Sequence, residues 1–138
     1  MFVRSGSWND SSVLLIVPKL ILQPLIENAV VHGLEPKQGN GWIHIQIGCQ
    51  GQDLSIWISD NGVGITPSKI KGGMILPGEK STHHSHVGIL TVHKRIQILY
   101  GKKYGILVKS KEKEGTTVQI VIPIHFEGEE DVSSHFGG

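Results

Sequence analysis

The chain has 138 residues, a formal net charge of +1 and one cysteine, with 38% of its residues hydrophobic and 18% charged. That length suits one compact domain with a real core and leaves no room for a second of the same size. The near-neutral charge argues against nucleic-acid binding through a broad basic field, and a lone Cys49 excludes an internal disulfide and fits a reducing compartment.

Residues 1–12 are polar and rich in Ser and Gly, and read as a flexible lead-in. Residues 12–17, Ser-Val-Leu-Leu-Ile-Val, are β-branched and short enough for a buried strand. The apolar run over 13–22 is broken by Pro18 and Lys19 and is too short to cross a bilayer. It also lacks the basic start and small-residue cleavage site of a secretory leader. Pro18 stands at a plausible first helical position, and the pattern predicts a helix to about His32, with Gly33 as its stop and Pro24 bending it. At about 100° per residue, Asn28 and His32 share one helix face with Glu27 beside them, while Leu25, Ile26, Ala29 and Val30 provide apolar surface around the rest.

Residues 35–41 form a loop by composition. Residues 42–49 alternate as a half-buried strand, which makes Cys49 a buried structural thiol, and residues 54–59 return as the second strand of a hairpin. That strand runs into Asp60-Asn61-Gly62-Val63-Gly64-Ile65, then a short helical turn at Thr66-Pro67-Ser68. Residues 72–85 have little apolar content and read as a structureless lid. A second helix is predicted over 87–100, closed by Gly101, and two strands over about 105–111 and 116–124 end the core. The acidic stretch from 127 onwards reads as a frayed tail. Hairpins with interspersed helices predict an antiparallel or mixed sheet with helices packed on one face.

Three places carry chemistry. Asp60 lies at a strand end, where it could accept a hydrogen bond from an exocyclic amine, and Gly62 and Gly64 would let the backbone approach a flat ligand; an Asn-Gly turn is the plainer reading. Val87-Gly88-Ile89 opens a helix, whose free N–H groups and dipole favour phosphate. His83, His84 and His86 follow Lys80, Ser81 and Thr82; no cysteine or carboxylate stands nearby and adjacent histidines chelate one ion poorly, so these read as lid residues, some within reach of phosphate, rather than a zinc site.

Taken together, Glu27-Asn28-Ala29 with His32, Asp60-Asn61-Gly62-Val63-Gly64-Ile65, Gly88-Ile89-Leu90-Thr91-Val92 leading to Arg95, and Gly115-Thr116 resemble the nucleotide-binding domain of the gyrase, heat-shock chaperone 90, histidine kinase and mismatch-repair superfamily. Their order and spacing match over about 13–124. Within it, Gln23-Pro24-Leu25-Ile26-Glu27-Asn28-Ala29 followed by His32-Gly33, and Ser85-His86-Val87-Gly88 running on to Arg95-Ile96 and Leu99-Tyr100-Gly101, look closest to the catalytic domain of sensor histidine kinases of the autolysin-regulator subgroup.

The resemblance implies an α+β fold, a two-layer α/β sandwich of Bergerat type with a mixed, mostly antiparallel sheet and ATP under a flexible lid at about 71–86. The ATPase domain would cover 13–125, between the lead-in at 1–12 and a flexible tail at 126–138. Asn28 would coordinate Mg²⁺, Glu27 would polarise the attacking group or order the metal's water, and His32 would lie near the phosphates. Asp60 would accept the adenine amino hydrogen with Thr116 helping through a water. Gly62, Gly64 and Ile65 would shape the base site, and Val87, Gly88 and Ile89 would hold phosphate. Implied partners are ATP, a phosphoacceptor-histidine helix of the same parent protein and a response regulator. The parent would be a homodimer in the cell membrane with this domain in the cytoplasm, and no nucleic acid or direct membrane contact is expected. Thr91 departs from the asparagine usual in the subgroup, and none of the eight histidines sits in the context of a phosphoacceptor helix. The chain by itself is therefore expected to bind ATP–Mg²⁺ without phosphorylating itself. Two other readings share the motifs: a serine kinase of the anti-sigma-factor type, and a non-catalytic nucleotide-sensing or docking domain.

Overall fold

A computed structural model describes residues 2–5, 19–76 and 86–124. Two helical segments and a five-stranded sheet carry the fold, as the resemblance implies. The sheet has the order β1 (Phe2–Ser5), β2 (Ile43–Gln50), β3 (Asp53–Asp60), β7 (Gly115–Pro123) and β6 (Gly105–Lys111). β2 and β3 form the expected hairpin, antiparallel from Ile43 opposite Asp60 to Gln50 opposite Asp53. β7 lies antiparallel between β3 and β6, so Thr116 pairs with Asp60 on one side and Ser110 on the other.

Alternation along β7 explains the layering. Thr116, Val118, Ile120 and Ile122 are buried while their neighbours stay partly exposed. Those buried side chains join Leu54, Ile56 and Ile58 of β3, Ile106 and Val108 of β6, Ile21 and Leu25 of helix α1 (Lys19–Asn28), and Ile89, Val92 and Ile96 of helix α2 (Val87–Tyr100) in one core. Ile120 and Ile96 are both fully buried; truncating either to alanine should cost roughly 2–5 kcal/mol. Among the described residues no helix is long and apolar enough to cross a membrane.

Several expectations need correction. Phe2–Ser5, read as loose lead-in, is a strand pairing in parallel with β2, Phe2 opposite His44 to Ser5 opposite Ile47. An aromatic next to a β-branched residue favours a pleated edge, which the Ser and Gly that follow obscured. Gly33 does not stop the first helix. α1 passes at Asn28 into a π-helical turn, Ala29–Leu34, closed by a bond from Glu35 N–H to the Val30 carbonyl at 2.9 Å. The lid stretch is not structureless at its start: after a 3-10 turn at Pro67–Lys69, β4 (Ile70–Lys71) and β5 (Met74–Ile75) form a small hairpin. Gly72 (φ +59°) and Gly73 (φ +77°) supply the two left-handed positions such a tight turn requires. A bond from Val108 N–H to the Gly73 carbonyl, 2.7 Å, ties this hairpin to the outer edge of β6. Cys49 is exposed: it shares a face with Ile45 and Ile47, but burial along β2 fades towards its far end. The predicted strand at 12–17, the lid residues 77–85 with His83 and His84, and the tail from 125 lie outside the described residues.

Candidate functional site

A cavity opens where the π-helical turn, the ends of β3 and β7 and the start of α2 meet. Leu25, Ala29, Ile58, Ile65 and Val118 give it apolar walls; Asn28, His32, Asp60, His86 and Thr116 supply its polar groups, with Gly33 and Gly64 between them. Asn28, His32, Asp60, Gly64, Ile65 and Thr116, expected at a site from sequence, are thus brought together from four segments.

Asp60 is 7% exposed and its Oδ1 accepts the Gly62 backbone N–H at 2.8 Å. Burial pushes its pKa above the usual carboxylate range; the backbone N–H groups of Gly62 and Thr116 and the charge of Lys37 partly offset that. A buried carboxyl held by only a few donors keeps acceptor capacity for a ligand.

The loop after Asp60 is shaped by close backbone approach. The Gly33 carbonyl accepts the Val63 N–H at 3.0 Å, and a Cβ on Gly62 would overlap that same carbonyl. Gly62 is therefore needed for packing on the π-helical turn and lies outside the cavity wall. Gly64, which is in the wall, has φ +75°, and a Cβ there would overlap the Lys111 carbonyl. Asn61 is structural: its Oδ1 accepts the Trp42 N–H at 2.7 Å and its Nδ2 donates to the Asn40 carbonyl at 3.1 Å, fixing the loop that leads into β2.

Behind Thr116, Ser110 acts as a junction. Its Oγ accepts the Ile65 N–H at 2.8 Å, donates to the Gly115 carbonyl at 3.0 Å and lies 2.7 Å from Thr116 Oγ1. With the Ser110 proton on Gly115, the Thr116 hydroxyl donates to Ser110 and its oxygen retains acceptor capacity toward the cavity.

On the first helical segment, Asn28 and His32 reach the wall together. The π-helical turn begins between them; such single wide turns recur at functional sites. Glu27 is exposed and outside the wall, its Oε1 accepting from Gln23 Nε2 at 3.1 Å. At α2, Val87 and Gly88 stand at the first positions of the helix, and a Cβ on Gly88 would meet only the Pro24 carbonyl, at 3.9 Å. Ile89 is 2% exposed and belongs to the core, so any part it has in holding phosphate is through its backbone. Thr91 is exposed and away from the cavity wall.

His86 stood in the Ser85-to-Gly88 motif and in the lid histidine cluster without a role of its own; it is part of the wall. It is 8% exposed, stands 5.4 Å from the His32 ring at a 53° tilt, and its Nδ1 is buried without a hydrogen-bond partner. Burial first, then the charges of His32 and Lys69, lower its pKa from 6.5 to about 4. No sequence pattern announces a histidine that turns inward at a helix start; the apolar wall residues Ile58 and Val118 were likewise read only as strand core.

Among the described residues no group of three or more His, Cys, Asp or Glu could hold a metal by itself. Asn28 is the amide on the cavity wall. One neutral hard oxygen suits Mg²⁺, which keeps waters and takes its remaining ligands from substrate phosphates, and does not suit zinc.

Residues 16–125 match the family of histidine kinase-, DNA gyrase B- and HSP90-like ATPases. The sensor histidine kinase YpdA of Escherichia coli (strain K12) is 36% identical over 116 residues, which are 83% of this chain and 19% of that protein. The sensor histidine kinase YesM of Bacillus subtilis (strain 168) is 35% identical over 108 residues, 78% of this chain and 17% of that protein. The chain thus spans about a fifth of the length of these relatives. In fold it is similar to the catalytic domain of the histidine kinase ThkA in a nucleotide-free form (TM-score 0.52, 24% identity, covering 75% of this chain and 66% of that one). It is also similar to the blue-light activated histidine kinase of Erythrobacter litoralis (TM-score 0.55, 15% identity, covering 88% and 34%).

Proposed function

This chain belongs to the histidine kinase-, DNA gyrase B- and HSP90-like ATPase family, and on that premise we propose that it is the ATP–Mg²⁺-binding catalytic domain of a two-component sensor histidine kinase. The observation that carries the reading is Asp60, a buried carboxyl at a strand end, which lines one cavity together with Asn28 and His32.

In this reading the Asp60 carboxylate accepts the adenine amino hydrogen and Thr116 supports the contact through its hydroxyl. Gly64 and Ile65 form the edge of the base site, and Gly62 keeps the loop close to the π-helical turn. His32 and the N–H groups at Val87, Gly88 and Ile89 hold the phosphate end, where the α2 dipole favours negative charge. Mg²⁺, held by the Asn28 amide oxygen, supplies neutralisation of phosphate charge. The acceptor is an imidazole nitrogen on a helix of the parent protein outside the described residues. A new N–P bond forms there as the bond between the γ-phosphorus and its bridging oxygen breaks, leaving ADP. The exposure of Glu27, next in the chain to Asn28, supports its acting on that incoming acceptor rather than on the base. Positioning and charge neutralisation carry most phosphoryl transfer, so this small set is chemically sufficient.

Proposed partners beyond ATP are that phosphoacceptor helix and a response regulator, in a homodimeric parent anchored in the cell membrane with this domain in the cytoplasm. The chain by itself should take up no stable label from γ-labelled ATP. Label surviving acid on an added protein substrate would instead favour a serine kinase of the anti-sigma-factor type. The test of the site is calorimetry of ATP with and without Mg²⁺ on wild type, Asn28→Ala and Asp60→Asn. Loss of metal dependence in the first variant and of adenine affinity in the second, by about 10–100-fold, is expected. No binding by wild type at millimolar ATP would sink the kinase reading in favour of a docking domain.

A further inference from the structure

We propose that the His86 imidazole is an intrinsic occupant of the cavity, which a nucleoside triphosphate must displace, so that this one residue limits how tightly the phosphate end of the ligand is held. The proposal rests on the nucleotide reading of the cavity and gives a role to a residue to which the motifs assigned none.

Three independent features of His86 point the same way. Its ring forms part of the cavity wall at the start of α2, against His32 and 8% exposed, so it takes up space beside the helix N-terminus where a phosphate would sit. Among the described residues no hydrogen bond fixes its Nδ1, which is buried without a partner, and the side chain makes no cap bond to α2. Its backbone is in the left-handed region, φ +70° and ψ 6°, which glycine adopts without penalty and a histidine does not. A buried orphaned polar atom and an unfavourable backbone both act against the fold. Groups kept under such conditions cluster at ligand sites.

Displacement also has a favourable side. When the ring swings out, Nδ1 regains a hydrogen bond to water, so the occupant leaves at low cost and acts as a graded competitor. The observed affinity then equals the intrinsic one multiplied by the fraction of molecules with the ring out. The contacts proposed for Asp60 and Thr116 with the base would be unaffected.

The test is titration of ATP–Mg²⁺ into the full chain, wild type against His86→Gly and His86→Asn. Glycine removes the ring and suits the backbone; asparagine is smaller than histidine and tolerates the same φ, which keeps the test available should glycine disturb the loop. His86→Gly should bind about tenfold more tightly, His86→Asn should fall between, and the ligand-free melting temperature of His86→Gly should not drop. In an Asp60→Asn background the absolute affinity should be lower but the gain from His86→Gly should keep the same factor, because ring occupancy does not depend on the adenine contact. If wild type binds and His86→Gly binds equally or more weakly, the occupant idea is overturned while the nucleotide reading stands; weaker binding would make the ring a ligand contact instead. If neither binds at millimolar ATP, both readings fall together.

Discussion

A methyl group placed on Gly33 would stand 3.0 Å from Oδ1 of Asp60. The π-helical turn and the end of β3 are therefore packed with the carboxyl directly against bare backbone. The φ of Gly33 is not in the left-handed region, and alanine is the better helix former, so Gly33→Ala should change stability by less than about 1 kcal/mol. The new methyl must push the Asp60 side chain by a few tenths of an ångström, and ATP affinity should fall by about tenfold, roughly 1.4 kcal/mol. Calorimetry alongside thermal melts separates the two effects. Unchanged affinity would show that this contact does not position the carboxyl.

Gly62→Ala should behave in the opposite way. Its Cβ would overlap the Gly33 carbonyl, an atom of the main chain that cannot rotate aside, and the adjoining Val63-to-Gly33 bond would be lost with it. Overpacking of this kind costs about 1–3 kcal/mol. A denaturant melt with a wild-type midpoint would mean that the loop relaxes without cost.

Ser110→Ala removes three hydrogen-bond relations at once, those to Ile65 N–H, the Gly115 carbonyl and Thr116 Oγ1. Leaving a partly buried backbone donor unsatisfied costs about 1–3 kcal/mol. Because Ile65 and Thr116 both line the cavity, nucleotide affinity should weaken although Ser110 itself is outside the wall. A Ser110→Thr variant, which keeps the hydroxyl, should recover part of both losses.

Acid should destabilise the ligand-free protein through His86. Its pKa is about 4 in the folded chain against 6.5 for an ordinary histidine, lowered by burial and by His32 and Lys69. Between those values the unfolded chain binds more protons, so this contribution is fully present above pH 6.5 and is lost as the pH falls towards 4, on the order of 1–3 kcal/mol. His93 is shifted down as well, by burial, so wild type must be compared with His86→Gly. Melting temperatures at pH 7.5 and 5 should differ more for wild type than for the variant. Parallel pH profiles would refute the assignment.

Much of this was legible in the sequence because periodicity reports burial. The Ile43-to-Asp60 hairpin, helix α2 and the last two strands follow from alternation and from turn residues, and Asp60, Asn28, His32 and Thr116 fell into one wall as the motifs implied. What could not be read depends on contacts far apart in the chain. Gly33 looked like a helix stop, but its lack of a side chain answers to Asp60, 27 positions on, and its carbonyl is what leaves Gly62 no room for one. Ser110 carried no motif because its importance comes from three partners on two other segments. Phe2–Ser5 could not be recognised as a strand before β2 was there to pair with it.

The β2–β3 hairpin sets Ile43 opposite Asp60 and Cys49 opposite Leu54, so the chain's only thiol stands six residues, about 20 Å of strand, away from the cavity end. It is exposed. A maleimide fluorophore would therefore attach at a single defined point, without mutagenesis, at a distance that leaves the cavity free and still lies within energy-transfer range of a labelled nucleotide.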